Sequence, residues 1–159
     1  MIDGLSQRGF TVVHEVARAY IDSQLALGCT LAQIKSDILS FERHILYEKV
    51  RIEQSLNPAE TVFLDRAVPD SIAYFQMEGL DWREPLDLCR TRRYRQVFLL
   101  DPLIFEKDAV RSENRIMAAR IDGLLETSYR KLGYAVRRVP LMPVKQRIDH
   151  ILDHIRPAP

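Results

Sequence analysis

Three apolar segments of this chain run into a carboxylate, and these carboxylates are the first residues that can do chemistry. Asp65 follows Thr61-Val62-Phe63-Leu64, Asp101 follows Val97-Phe98-Leu99-Leu100, and Glu15 stands just past Phe10 to Val13. At the end of a strand, a carboxylate can hold a magnesium ion through water or take a proton from an attacking hydroxyl. Arg66, next to Asp65, has the planar fork that braces phosphate oxygens. The same residues have a structural reading: Asp65 caps the turn after its strand and Arg66 pairs with it. For Glu15, the chemical reading is acceptor binding or metal support. The structural one is a first-turn glutamate favoured by the helix dipole, followed by an Arg18–Asp22 pair four residues apart.

Two further arginines stand in a charged stretch, residues 106–115. Arg111 and Arg115 are four apart and share a helical face if both are helical. Placed on a flap, they suit stabilisation of a transferring phosphoryl group; the plainer reading is a solvated helix start. Arg90, Arg92, Arg93 and Arg95 form the basic cluster. Such a cluster can touch nucleic-acid phosphates, but it also suits a helix end, where cations meet the dipole. His150 and His154 have metal-binding spacing, yet no glutamate follows His150 as in H-E-x-x-H. Ser6, Ser23, Ser55 and Ser71 have no nucleophile-elbow context.

These residues are positioned by alternating helices and strands. Residues 2–8 read as a helix end, Gly9 as its left-handed cap, and Phe10 to Val13 as a strand. The same order returns late in the chain: a helix ends at Leu132, Gly133 caps it, and Tyr134 to Val139 form a strand. The runs 61–64 and 97–100 do not alternate with polar residues, as expected of parallel strands covered on both faces. Helices are expected at Val16 to Leu27, Leu31 to Leu56, Ser71 to Glu78, Glu84 to Arg93, Ser112 to Leu132 and Pro143 to Ile155. Within the second, Leu31, Ile34, Ile38, Phe41 and Ile45 step by three and four, giving one buried face. Asp70 reads as an N-cap after Pro69. The fold class is therefore α/β, with ligands expected outside the carboxyl ends of the strands.

The chain has 159 residues, 47% hydrophobic and 28% charged, with a formal net charge of +1. That fits one domain, expected over residues 1–156 with a tail at 157–159, and gives no global pull toward nucleic acid or membrane. Cys29 and Cys89 form no C-x-x-C pair, which favours reduced thiols over a metal site or disulfide. No apolar run approaches the ~20 residues of a membrane span, and Met1-Ile2-Asp3-Gly4 does not read as a signal peptide. The expected location is the cytoplasm.

Arg8 to Ile21 resembles the second strand and helix of a family of AAA-type P-loop domains, those similar to the ribosylnicotinamide kinase module of bacterial NAD-salvage regulators. Thr61 to Tyr74 resembles that family's next strand and turn, through Phe-Leu-Asp-Arg, Pro-Asp and Ala-Tyr. Val97 to Pro102, Arg111 to Glu113, Leu132 to Pro140 and Arg147-Ile148 resemble its remaining strands, lid and last helix. The resemblance covers nearly the whole chain. It implies a three-layer P-loop NTPase-like fold, a parallel sheet with helices on both faces. It also implies ATP or GTP with magnesium, an unknown small-molecule acceptor, and kinase or ATPase activity. By position, it makes Asp65 the Walker B-like carboxylate acting on Mg2+ through water. Glu15 and Arg66 would face the acceptor or metal, Arg18 would join them in binding the substrate, and Arg111 and Arg115 would be lid arginines.

The chain departs from the family at one point. The six glycines are at positions 4, 9, 28, 79, 123 and 133, and none is followed by lysine, so the signature G-x-x-x-x-G-K-[ST] is absent. The family's loop should stand just before the helix that ends at Arg8, so the chain reads as starting inside the first helix. The first, central strand is then missing too, and its place lies between 61–64 and 97–100. Without the loop's amide nest and lysine, nucleotide binding by this chain is expected to be poor or absent. Strands that lack a neighbour invite self-association. The alternatives are a non-catalytic remnant or protein-interaction module and, more remotely, a small nucleic-acid-binding protein.

Overall fold

A computed structural model describes residues 1–91, 93–102 and 110–155, apart from the side chains of 110–114. Twelve elements follow in order: α1 Ile2–Ser6, β1 Thr11–Val13, α2 Val16–Ala26, α3 Leu31–Ile34, α4 Ile38–Ser55, β2 Val62–Leu64, α5 Asp70–Met77, α6 Arg83–Cys89, β3 Val97–Leu100, α7 Val110–Lys131, β4 Val136–Val139 and α8 Val144–Ile155.

Both expected helix–glycine–strand joints are present. Gly9 has φ 87° and Gly133 φ 85°, the left-handed region that a side chain disfavours. The Phe10 N–H reaches back to the Leu5 carbonyl and the Tyr134 N–H to the Tyr129 carbonyl, each closing the helix end.

The expected long helix 31–56 is two helices. Thr30 and Gln33 form a reciprocal capping box that starts α3. Asp37 then takes the Ser40 N–H at 3.0 Å and starts α4. Ile34 and Ile38, on either side of this break, pack against the same cluster of Val16, Phe41 and Ile45, while Leu31, expected on the buried face, is 52% exposed at the start of α3. Asp70 is not the N-cap of α5 but its first residue, and its carboxylate reaches back to the Ala67 N–H.

Among the described residues the strands form two separate parallel pairs. In one, Thr11 faces Val62 and Val13 faces Leu64. In the other, Val97 faces Val136 and Leu100 faces Val139. One apolar cluster joins Leu46 and Val50 of α4, Val68 of the turn before α5, Ile72 and Phe75 of α5, and Cys89 of α6. A second joins Leu5 of α1 to Ile148 and Leu152 of α8, with Phe10, Val12 and Phe63 against it. A third joins Val16, Phe41 and Ile45. The unbroken apolar runs anticipate strands buried on both faces, yet Val62, Phe63 and Leu64 are only half-buried and Leu100 is 36% exposed. The reason is an open cleft.

Candidate functional site

The cleft has a volume of about 1010 Å3 and is lined by both β2 and β3. Ile2, Leu5, Ile151 and Ile155 line it from α1 and α8, and Tyr74, Ile121, Leu125 and Tyr129 from α5 and α7. Its backbone walls have a definite polarity. The Asp65 N–H donates to the Val13 carbonyl at 2.8 Å, and the Asp101 N–H to the Val139 carbonyl at 2.9 Å. In a parallel ladder, alternate residues point their peptide groups to opposite edges. Val62 and Leu64 of β2, and Phe98 and Leu100 of β3, therefore direct theirs away from their partners, toward the cleft. The slot has the form of a missing strand position: two strand edges with apolar helices lining the space between.

At the carboxyl ends of β1 and β2 the chain brings Glu15, Asp65 and Arg66 together. Glu15 is the residue between β1 and α2, and Asp65 and Arg66 leave β2. Asp65 is exposed. Arg66 is the one non-glycine residue with positive φ, at 68°, among the described residues. It does not pair with Asp65, as the structural reading expects. Its Nε lies 3.2 Å from Glu15 Oε1, and its guanidinium sits over the Tyr74 ring at 5.1 Å from the centroid. The left-handed backbone turns the Arg66 side chain away from its neighbour and across to β1. Arg18 is exposed on α2, and Arg115 is exposed on α7. The Arg111 side chain lies outside the described residues.

Asp101 stands at the end of β3, 3.6 Å from Arg138 on β4. Arg138 is also bound by Asp122 at 2.7 Å and Glu126 at 2.5 Å, both on α7. Hydrogen bonding to Asp122, and then to Glu126, holds this guanidinium above its ordinary proton affinity despite partial burial. The Glu126 carboxyl is in turn held below its usual range, first by the hydrogen bond from Arg138 and then by the one from Arg130.

Beneath the Arg66 turn lies a polar group that the sequence reading missed. Lys49 of α4 is 4% exposed and donates to Ser71 Oγ at 3.3 Å. Burial pulls its ammonium below the ordinary lysine range, while Asp70, Glu42 and Glu53 oppose that pull. Burial raises the Glu42 carboxyl, with Lys49 opposing. The signal was available: Ile34, Ile38, Phe41 and Ile45 define a buried stripe, and Lys49 is its next member, four residues on. A lysine on an apolar stripe is a buried charge until shown otherwise.

The remaining candidates are placed as follows. The His150 and His154 rings lie 4.4 Å apart, and no group of three or more metal-ligating side chains occurs among the described residues. Magnesium needs no such cage, since it is bound through one or two carboxylates with phosphates and water, so the exposed Asp65 fits that role by its chemistry. Cys29 and Cys89 are thiols. In the basic cluster, Arg90 pairs with Asp87 at 3.2 Å, Arg93 donates to the Arg90 carbonyl, and Arg95 donates to the Ile155 carbonyl. These are helix-end and inter-element contacts; Arg92 lies outside the described residues. No described helix is long and apolar enough to cross a membrane.

No curated protein and no solved structure gives a significant match to this chain. A family model described as an AAA domain matches residues 1–147. A parallel strand pair ending in Asp65-Arg66, and a second pair facing it across an open slot, are compatible with the α/β fold of P-loop domains. The chain belongs to the AAA domain family of P-loop NTPases, whose members are nucleotide-binding, ATPase-like domains.

Proposed function

We propose that this chain forms the body of a cytoplasmic P-loop domain that transfers or hydrolyses the terminal phosphoryl group of ATP or GTP, with a small-molecule acceptor in the kinase case. The observation that carries this reading is the open slot lined by both β2 and β3, with Asp65 and Arg66 among its lining residues. In the proposed complete domain, a central strand fills the slot between β2 and β3, helices cover both sheet faces, and a phosphate loop follows that strand.

Bound Mg–nucleotide supplies the phosphoryl group and neutralises its charge. Asp65 would hold the magnesium through water. Glu15, Arg18 and Arg66 face the acceptor, with Glu15 fixing the Arg66 fork. As lid arginines, Arg111 and Arg115 would steady charge on the transferring group. The acceptor is then a small molecule with a phosphorylatable hydroxyl, as in ribosylnicotinamide kinases.

The G-x-x-x-x-G-K-[ST] motif is absent from residues 1–159, so by themselves they should bind nucleotide weakly. The test is thermal shift with Mg–ATP and Mg–GTP on two proteins. One is the 159-residue chain. The other is the same chain extended at its N-terminus by the sequence encoded upstream, or by an apolar strand followed by G-x-x-x-x-G-K-[ST]. A saturable shift in the extended protein, reduced at least about tenfold in affinity by Asp65→Asn, is expected. An extended, folded protein that shows no shift removes the nucleotide reading.

The open edges favour one second reading, a non-catalytic interaction module whose slot takes a strand from another copy or another protein. Concentration-dependent association of the 159-residue chain, abolished by filling the slot in cis, supports strand-mediated association. A monomer at all concentrations removes it.

A further inference from the structure

The turn that carries Arg66 is tied, through two carboxylates, to the opposite half of the molecule. The Ala67 N–H donates to Asp70 Oδ2 at 2.9 Å, and the next amide, Val68 N–H, donates to Glu53 Oε1 at 2.9 Å. Each of these carboxylates also accepts a tyrosine hydroxyl: Tyr129 donates to Asp70 Oδ2 at 2.5 Å, and Tyr94 donates to Glu53 Oε2 at 2.7 Å. Asp70 and Glu53 belong to the β1–β2 side, on α5 and α4. Tyr129 lies on α7 and Tyr94 just before β3, and both rings pack against Tyr134, at 5.9 and 5.7 Å. Two consecutive amides of one turn are thus gripped by two carboxylates, each tied to a tyrosine across the cleft.

Arg66, immediately before the first gripped amide, has φ 68°. A non-glycine residue persists there only when its surroundings over-determine it. On its outer side Glu15 and Tyr74 hold the guanidinium; on its inner side the gripped amides hold the backbone. β2 and β3 do not pair, so the two hydroxyl–carboxylate bonds are ties between the half-sheets.

We infer that Tyr94 and Tyr129 are positioning residues: they form a latch across the cleft that sets the backbone of the 66–68 turn and, through it, the presentation of Arg66. Spacing between the half-sheets and presentation of Arg66 form one coupled element. Whatever fills the slot acts on Arg66 through this latch. The inference holds whether or not the chain binds nucleotide.

The test uses the full 159-residue chain, with amide exchange and the Arg66 Nε–H signal followed by NMR. Tyr94→Phe and Tyr129→Phe each remove one hydroxyl and keep the ring. The expected result is exchange about five- to tenfold faster at Val68 and Ala67 respectively, the loss of roughly one hydrogen bond's support. The Asp65 amide, in the β1–β2 ladder, should be unchanged. In the double variant the Arg66 Nε–H signal should move in the direction it moves in Glu15→Gln. A lower Tm with these amides and the Arg66 signal unmoved would mean packing alone, and would overturn the latch. Arg66→Gly supplies an independent check, because glycine adopts positive φ freely. Tyr129→Phe should lower Tm less in that background than in the parent. Equal drops in both backgrounds would overturn the coupling.

Discussion

The two half-sheets are built alike but supported differently. Each is a parallel pair in which one strand, β1 or β4, follows a helix–glycine joint. On the β1–β2 side, α4 and α5 bury Leu46, Ile72 and Phe75 almost completely, and the charged groups Lys49, Glu42 and Asp70 go inside with them. On the β3–β4 side, Val139 is fully buried, but Leu125 retains 9% exposure and the main ion cluster, around Arg138, sits at the surface. One half spends its polar groups on shaping a turn. The other spends them on tying α7 to β4. Precision at a site calls for buried polar groups with partners: in the first half Asp70 accepts from both the Ala67 N–H and the Tyr129 hydroxyl, whereas in the second the buried Ser128 Oγ and one Arg147 nitrogen have none among the described residues.

The largest effect that can break this comparison is in the cores. Phe75→Ala should cost about 3–5 kcal/mol in chemical denaturation, because a fully enclosed ring leaves a cavity that cannot collapse. Leu125→Ala, at the wall of an open cleft, should cost about 2 kcal/mol, the low end for such a truncation, since its neighbours can relax into open space. Equal losses would show that the two halves are equally well packed.

A smaller effect tests what the halves share. Gly9 and Gly133 have the same left-handed conformation, and a Cβ at either would meet nothing within 4 Å. Alanine at each should therefore cost about 1–2 kcal/mol from backbone strain alone, and the two values should agree. If Gly133→Ala is much the cheaper, the β3–β4 half is the softer one, able to readjust its joint.

These joints were legible in the sequence because they are local: a helix end, a glycine and an aromatic-led strand stand within a few residues. β1 and β4 were legible with these joints, and β2 and β3 as apolar runs ended by Asp65 and Asp101. The helix break at residues 35–37 was not read, because the buried stripe continues across it and the cap at Asp37 is one side chain among many polar ones. The site was legible in part. Strand-end position brought out Glu15, Asp65 and Arg66, but not that Arg66 turns to Glu15, since that depends on a single φ. The tyrosine ties were out of reach: Tyr94 meets Glu53 across 41 residues of sequence and Tyr129 meets Asp70 across 59. Neither partner has a spacing signature; only tertiary packing brings them together.

The smallest effect distinguishes the halves by the sign of a pH dependence. Glu126 is held below its ordinary value of 4.5 by hydrogen bonds from Arg138 and Arg130. Its folded-state proton affinity is depressed, so its contribution is present above that ordinary value and is lost as pH falls through the folded one. Glu42 is raised above its ordinary 4.5 by burial. Its contribution runs the other way: it is present below the ordinary value and is lost as pH rises through the raised folded value. Arg138→Gln should therefore flatten the acid limb of stability against pH, costing about 1 kcal/mol or less at neutral pH and less still in high salt, because the Arg138 side chain is 34% exposed. Glu42→Gln should leave the acid limb in place and remove a loss on the alkaline side of it. Urea midpoints measured from pH 3 to 8 read both. If the two variants bend the curve in the same direction, burial and pairing do not divide between the halves as the packing indicates, and the Lys49–Glu42 contact supports Glu42 more than its burial penalises it.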